Sequence, residues 1–141
     1  PFQRGGVMKI DQDYLKGLLE AFEASDSPDT DILRLNELGF NCETDTFVFH
    51  MRLLEDRGLI VRSDGEPGFG AFGSLDGATH WAVMPLRLTA IGHDFLDALR
   101  NQEVWSTLKT GFKDASMGTL MTVSKELFNR ALNKQLDKIF D

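Results

Sequence analysis

Three histidines, one cysteine and a run of glycines are the side chains and spacings in this chain that suggest catalytic or ligand-binding chemistry. His50, His80 and His93 would serve as metal ligands or proton carriers, but none has a metal-ligand neighbour at zinc spacing. His50 lies about 60° around a helical wheel from Phe47, at the edge of an apolar face. That position suits a half-buried imidazole bonded to a nearby backbone carbonyl better than a ligand or a pH sensor. Cys42 has no second cysteine for a disulfide or a zinc ribbon, and nothing beside it would activate the thiol. It reads as a small packed side chain. Gly65, Gly68, Gly70, Gly73 and Gly77 lack the Lys-Ser/Thr ending of a phosphate-binding loop and do not open a helix, so they read as turn glycines. The chain is therefore expected to carry no catalytic apparatus, no metal and no cofactor.

Recognition is the remaining chemistry, and it centres on residues 43–57. If Phe47, Met51 and Leu54 face a core, then Asp45, Phe49, Arg52 and Asp56 point outward. A helix that reads the major groove is expected to offer Arg, Lys, Asn or Gln to base edges. Arg52, with Arg57 and Arg62, would be the DNA contacts. Asp45 and Asp56 oppose that use, because each would face phosphate. Residues 63–80 contain Asp64, Glu66 and Asp76 and no Lys or Arg, although a wing that touches DNA needs cations. The alternative is a protein partner of basic character, met by Asp45, Phe49 and Asp56.

The elements that must position these residues follow from periodicity. Asp11 caps a first helix carrying Leu15, Leu18, Leu19 and Phe22 at helical spacing. Residues 32–40 fit a short helix or an edge strand. Residues 43–57 form a helix that Gly58 stops. A strand begins at Leu59, Ile60 and Val61, a glycine-rich turn region spans 63–80, and Trp81 to Met84 reads as the returning strand. Residues 64–77 are expected to be a loosely packed tip, replaceable by a short Asn-Gly turn. Thr89 caps a helix with Ile91, Phe95, Ala98 and Leu99 on its apolar face. Val104, Trp105, Leu108 and Phe112 mark another helix. After a break at 111–118, residues 120–140 form a last one, where Leu127, Phe128, Ala131, Leu132, Leu136 and Ile139 offer a broad apolar face opposite an Arg130, Lys134, Lys138 ridge. That face either packs within the chain or pairs with a second copy.

Composition sets the outer bounds. With 141 residues, 42% hydrophobic and eleven of them Phe, the chain can bury a core without staples. The net charge of −7 is uneven: residues 1–100 hold nine Lys or Arg against seventeen Asp or Glu, and 101–141 hold six against five. That sign disfavours general coating of nucleic acid, whose affinity rests on cations. No apolar run reaches the ~20 residues of a membrane span, and no signal-peptide core is seen. A cytoplasmic home is expected. Residues 1–7 read as a leader or expression remnant, 8–100 as the main domain and 101–141 as a helical C-terminal extension.

The run from His50 to Ile60 resembles the end of a winged-helix recognition helix turning through glycine into the first wing strand. Leu88-Thr89, then Gly92 and Leu96, is similar to the passage from the second wing strand into the next helix. From Met8 onward the chain resembles a bacterial and phage family of small proteins catalogued as a domain of unknown function. The shared features are the Met8-Lys9 opening, the His50–Ile60 run, the stretch Gly92-His93-Asp94-Phe95-Leu96 leading to Val104-Trp105, and a lysine-bearing last helix. The resemblance implies a mainly α (α+β) fold: a winged helix-turn-helix core with a small β-hairpin wing and a helical extension. It implies no activity. The functional expectation is a non-catalytic, DNA-associated transcriptional regulator, or else a protein-binding adaptor or anti-defence factor.

Overall fold

A computed structural model describes residues 8–140; the segment 1–7 read above as a leader lies outside them. The elements are α1 (Gln12–Glu23), α2 (Ile32–Glu37), α3 (Asp45–Asp56), β1 (Ile60–Arg62), β2 (Ala71–Gly73), β3 (Thr79–Trp81), β4 (Leu86–Leu88), α4 (Ala90–Arg100), α5 (Gln102–Gly111) and α6 (Met117–Phe140). The fold is α+β and mainly helical, with two small two-stranded sheets, β1–β4 and β2–β3. The described chain divides into two compact units, one of residues 17–92 and one of 8–16 with 93–140.

Local chemistry explains most boundaries in the first unit. Asp31 sits in extended backbone and accepts the Arg34 N–H (3.0 Å), so 32–37 is a helix and the open choice at this segment is resolved. Gly39 leaves it at φ +98. Thr44 caps α3 by accepting the Phe47 N–H (3.2 Å). At the other end Gly58 takes φ +69, which lets the Leu59 N–H return to the Leu54 carbonyl (2.8 Å). Phe47, His50, Met51 and Leu54 are all fully buried, which fixes the inner face of α3. Cys42 is buried as expected, and its N–H donates to Asn36 Oδ1 (2.8 Å) across the α2–α3 turn.

The strands differ from the sequence expectation. β1 pairs antiparallel with β4, Ile60 opposite Leu88 and Arg62 opposite Leu86, so the returning strand is 86–88 and not 81–84. The alternation Leu86 in, Arg87 out, Leu88 in is the period-2 signal of a half-buried strand. On its other edge β4 meets Thr30 through two backbone hydrogen bonds (2.7 and 2.8 Å). Trp81 belongs instead to a separate hairpin, β2–β3, inside the long connection. Thr89 caps α4 by accepting the Gly92 N–H (3.0 Å) while its hydroxyl donates to the Gly58 carbonyl (2.6 Å). Ile91, expected on the buried face, is exposed; Gly92 takes the inward place because the Leu59 carbonyl oxygen leaves no room for a side chain there.

In the second unit Asn101 caps α5 by accepting the Glu103 and Val104 N–H groups (both 3.1 Å). Gln12 Nε2 donates to the Leu108 and Phe112 carbonyls (3.3 and 2.8 Å), satisfying the end of α5. The break before α6 is shorter than expected, since Gly111 still belongs to α5 and α6 starts at Met117. Met117, Leu120 and Ser124 are buried on α6. Leu127, Phe128 and Ala131 are half-buried, whereas Leu132, Leu136 and Ile139 are exposed. Only the first half of the expected packing face is therefore used within the chain.

Candidate recognition surface

α3 presents the side chains that periodicity assigned to its outer face. Asp45, Arg52 and Asp56 are exposed and Phe49 is half-buried, its ring edge-on to the His50 imidazole (centroids 5.3 Å, 83°). His50 itself is fully buried, and its Nδ1–H donates to the Thr46 carbonyl (2.7 Å), the structural role expected for it. Arg57, at the C-cap, is exposed. Neither Arg52 nor Arg57 forms a salt bridge among the described residues.

Arg62 is placed differently from the other two arginines. It ends β1, its side chain is only 10% exposed, and its guanidinium forms a fork with Asp64 (Nη2–Oδ2 2.6 Å, Nε–Oδ1 3.1 Å). The hydrogen bond to Asp64 raises the Arg62 pKa, and the same bond, with the Glu66 N–H, holds Asp64 below the ordinary carboxylate value of 3.8. A cation already matched by a bidentate carboxylate has little field left for a phosphate. The three arginines proposed as one set from the sequence thus fall into two free side chains and one locked pair.

Sequence reasoning also missed the glutamate that ties the β1–β4 connection down. Glu55 on α3 accepts the Gly68 N–H, so the connection folds back over the C-terminal half of the helix. Behind it Phe69 is buried, and Trp81 meets both Phe69 (centroids 6.0 Å) and Phe47 of α3 (5.8 Å). Residues 64–77 are therefore not all a loose tip: Phe69 and Gly70 within them are buried, while 64–67 are exposed. The signal was present as Phe69 among glycines, but turn composition outweighed one apolar residue. An open groove of about 520 Å³ lies beside β1, lined by Glu55, Val61, Arg62, Glu66, Pro67 and Arg87. It carries both signs of charge.

Charge divides sharply between the units. Residues 17–92 hold thirteen Asp or Glu against five Lys or Arg, while 8–16 and 93–140 together hold eight against nine. The whole acidic excess therefore sits on the unit that carries α3 and the β1–β4 connection. Among the described residues, no three His, Cys, Asp or Glu side chains group as a metal site. No helix of the described residues is long and apolar enough to cross a membrane.

Comparison with known proteins agrees with the resemblance seen in the sequence. The chain is 28% identical over 129 residues to an uncharacterized protein of Haemophilus influenzae, covering 92% of this chain and 99% of that protein. No solved structure matches the chain. The model of a family of hypothetical proteins, DUF2513, matches residues 9–118. By that match over most of its length, the chain belongs to the DUF2513 family.

Proposed function

We propose that this is a non-catalytic winged-helix protein of a bacterial or phage genome, acting in the cytoplasm as an adaptor or anti-defence factor. In this reading the face formed by α3 and the wing binds a basic protein partner. The winged-helix assignment is supported by element order: α1, the Thr30 bridge, α2, α3, β1, the long connection and β4, with β4 lying between Thr30 and β1. In that frame α3 is the recognition helix and 63–85 the wing. The observation that carries the partner assignment is the state of Arg62. Arg62 and Asp64 cancel one another, so Asp45, Asp56, Glu66 and Asp76 outnumber the exposed Arg52 and Arg57 in setting the field of the face. Phe49 supplies an aromatic anchor, and the acids steer the partner.

The free state of Arg52 and Arg57 favours a second reading, a DNA-associated transcriptional regulator that contacts phosphate and bases through those residues. A salt series of binding to random and native-genome DNA separates the two. The adaptor reading expects DNA affinity weaker than about 10⁻⁴ M at physiological salt and a basic partner whose association slows on Asp45→Asn with Asp56→Asn, whereas the regulator reading expects that double change to strengthen DNA binding. A micromolar or tighter complex that Arg52→Ala weakens would replace the adaptor with the regulator. The exposed end of α6, with Leu132, Leu136 and Ile139, adds a homodimer contact to the proposal. Sedimentation of the wild type against Leu136→Glu tests it, the variant being expected as monomer.

A further inference from the structure

The connection between β1 and β4 contains an ordered hairpin that leaves two apolar residues, Phe72 and Leu75, exposed. Its base is held on three sides. Phe69 is 5% exposed beside Trp81, the Ala82 N–H donates to the Gly70 carbonyl (2.8 Å), and Glu55 accepts from the Gly68 N–H. Gly70 sits at φ +100, where an added methyl would run into the Ala82 carbonyl oxygen, so this crossing requires glycine. Beyond the base, β2 and β3 pair Phe72 with His80 and Gly73 with Thr79.

The turn that closes the hairpin satisfies its own polar groups. The Ser74 N–H donates to the Ala78 carbonyl (3.0 Å), the Gly77 N–H to the Ser74 carbonyl (3.0 Å), and Asp76 accepts from the Ala78 N–H (3.0 Å) and from the Ser74 hydroxyl. Nothing in that network calls for leucine at 75. Leu75 nevertheless stands wholly in solvent, at 110% of its reference exposure, and Phe72 is 48% exposed. Removing apolar side chains from water is favourable, so these two on a fixed support are a ready source of binding energy.

Charge decides what covers them. Asp64, Glu66 and Asp76 are the ionic side chains between 63 and 79, and the unit as a whole is strongly acidic. A phosphate backbone or an anionic lipid surface would be repelled. We propose that the β2–β3 hairpin inserts Phe72 and Leu75 into an apolar cleft of a protein partner whose rim carries Lys or Arg, the rim meeting Glu66 and Asp76. The proposal rests on the adaptor reading above and names a different anchor from Phe49.

The probe is a displayed library of random dodecapeptides, panned on the full chain and depleted on the Phe72→Ser, Leu75→Ser double variant. Both side chains are exposed, so circular dichroism and the melting profile of the variant should match the wild type. Enriched peptides should combine one or two large apolar residues with flanking Lys or Arg. Synthesised, they should bind the wild type at least ten-fold tighter than the Leu75→Ser protein, and Glu66→Gln should weaken them further at low salt. Peptides without basic flanks, or equal binding to both proteins, would overturn the hairpin assignment. Loss on Phe49→Ala but not on Leu75→Ser would overturn it while leaving the adaptor reading intact, whereas tight DNA binding through Arg52 would remove both. If the wild type sediments as a dimer that Leu75→Ser converts to monomer, the occupant is a second copy and the basic-partner assignment is wrong.

Discussion

Replacing Phe69 with alanine tests whether the β1–β4 connection is anchored or loose. Phe69 is buried to 5% exposure, with its ring 6.0 Å from that of Trp81, which in turn meets Phe47 of α3 at 5.8 Å. Truncating a buried phenylalanine costs about 3–5 kcal/mol, and loss of a specific aromatic pair adds about 0.5–1.5 kcal/mol. The low end applies here, because the site borders a surface connection that can close partly over the cavity. A loss of about 3 kcal/mol is a large share of the roughly 5–15 kcal/mol that stabilises a domain. At roughly 3 °C per kcal/mol for a chain of this size, the melting midpoint should fall by about 10 °C. Urea unfolding followed by tryptophan fluorescence is the assay, with Phe72→Ala, half-exposed on the same hairpin, as the control expected to stay within about 1 kcal/mol. A Phe69→Ala loss below about 1 kcal/mol, or equal losses at both positions, would show that the connection is a loose tip after all.

Three further outcomes follow from the geometry. Gly92→Ala should destabilise by about 1–3 kcal/mol despite alanine's better helix propensity, because the methyl meets the Leu59 carbonyl and Leu88; Gly111→Ala, with nothing within 4 Å, should be neutral or slightly stabilising in the same denaturation series. Asp64 is held below 3.8 chiefly by Arg62, and Asp76 chiefly by the Ser74 hydroxyl. A depressed carboxylate stabilises the fold above its unfolded value and loses that contribution as pH falls through its folded value. The Glu66 and Ala78 amide resonances should therefore titrate with midpoints below 3.8, and a midpoint above it would contradict the assigned hydrogen bonds. Ending the chain after Ala131 should leave the monomer's melting midpoint within about 2 °C, since every described residue beyond it is exposed. Ending it after Gly118 removes buried Leu120 and should cost about 2–5 kcal/mol.

Much of the fold is local in origin and was legible in the residues. Asp11, Thr89, Gly58 and the helical spacing of Phe47, Met51 and Leu54 act within a turn or two of themselves, so their caps, stops and inner face appear where periodicity puts them. The outward position of Asp45, Arg52 and Asp56 follows from the same period. Family membership was legible too, because the motif spacing runs nearly the length of the chain.

What required the tertiary structure was every feature set by a partner distant in sequence. The place of β4 depends on Ile60 facing Leu88 and on Thr30 reaching Leu86, and no local pattern contains Thr30. Phe69 is core because Trp81 and Phe47 converge on one spot, while Leu75, equally apolar and only six positions on, remains in water because its turn closes on itself. The Arg62–Asp64 pair is the exception, local in sequence, and only the side-chain geometry shows that it forms while no described carboxylate pairs with Arg52. Residue type shows which side chains are able to bind; the field and packing around each one, assembled from several segments, decide which remain available.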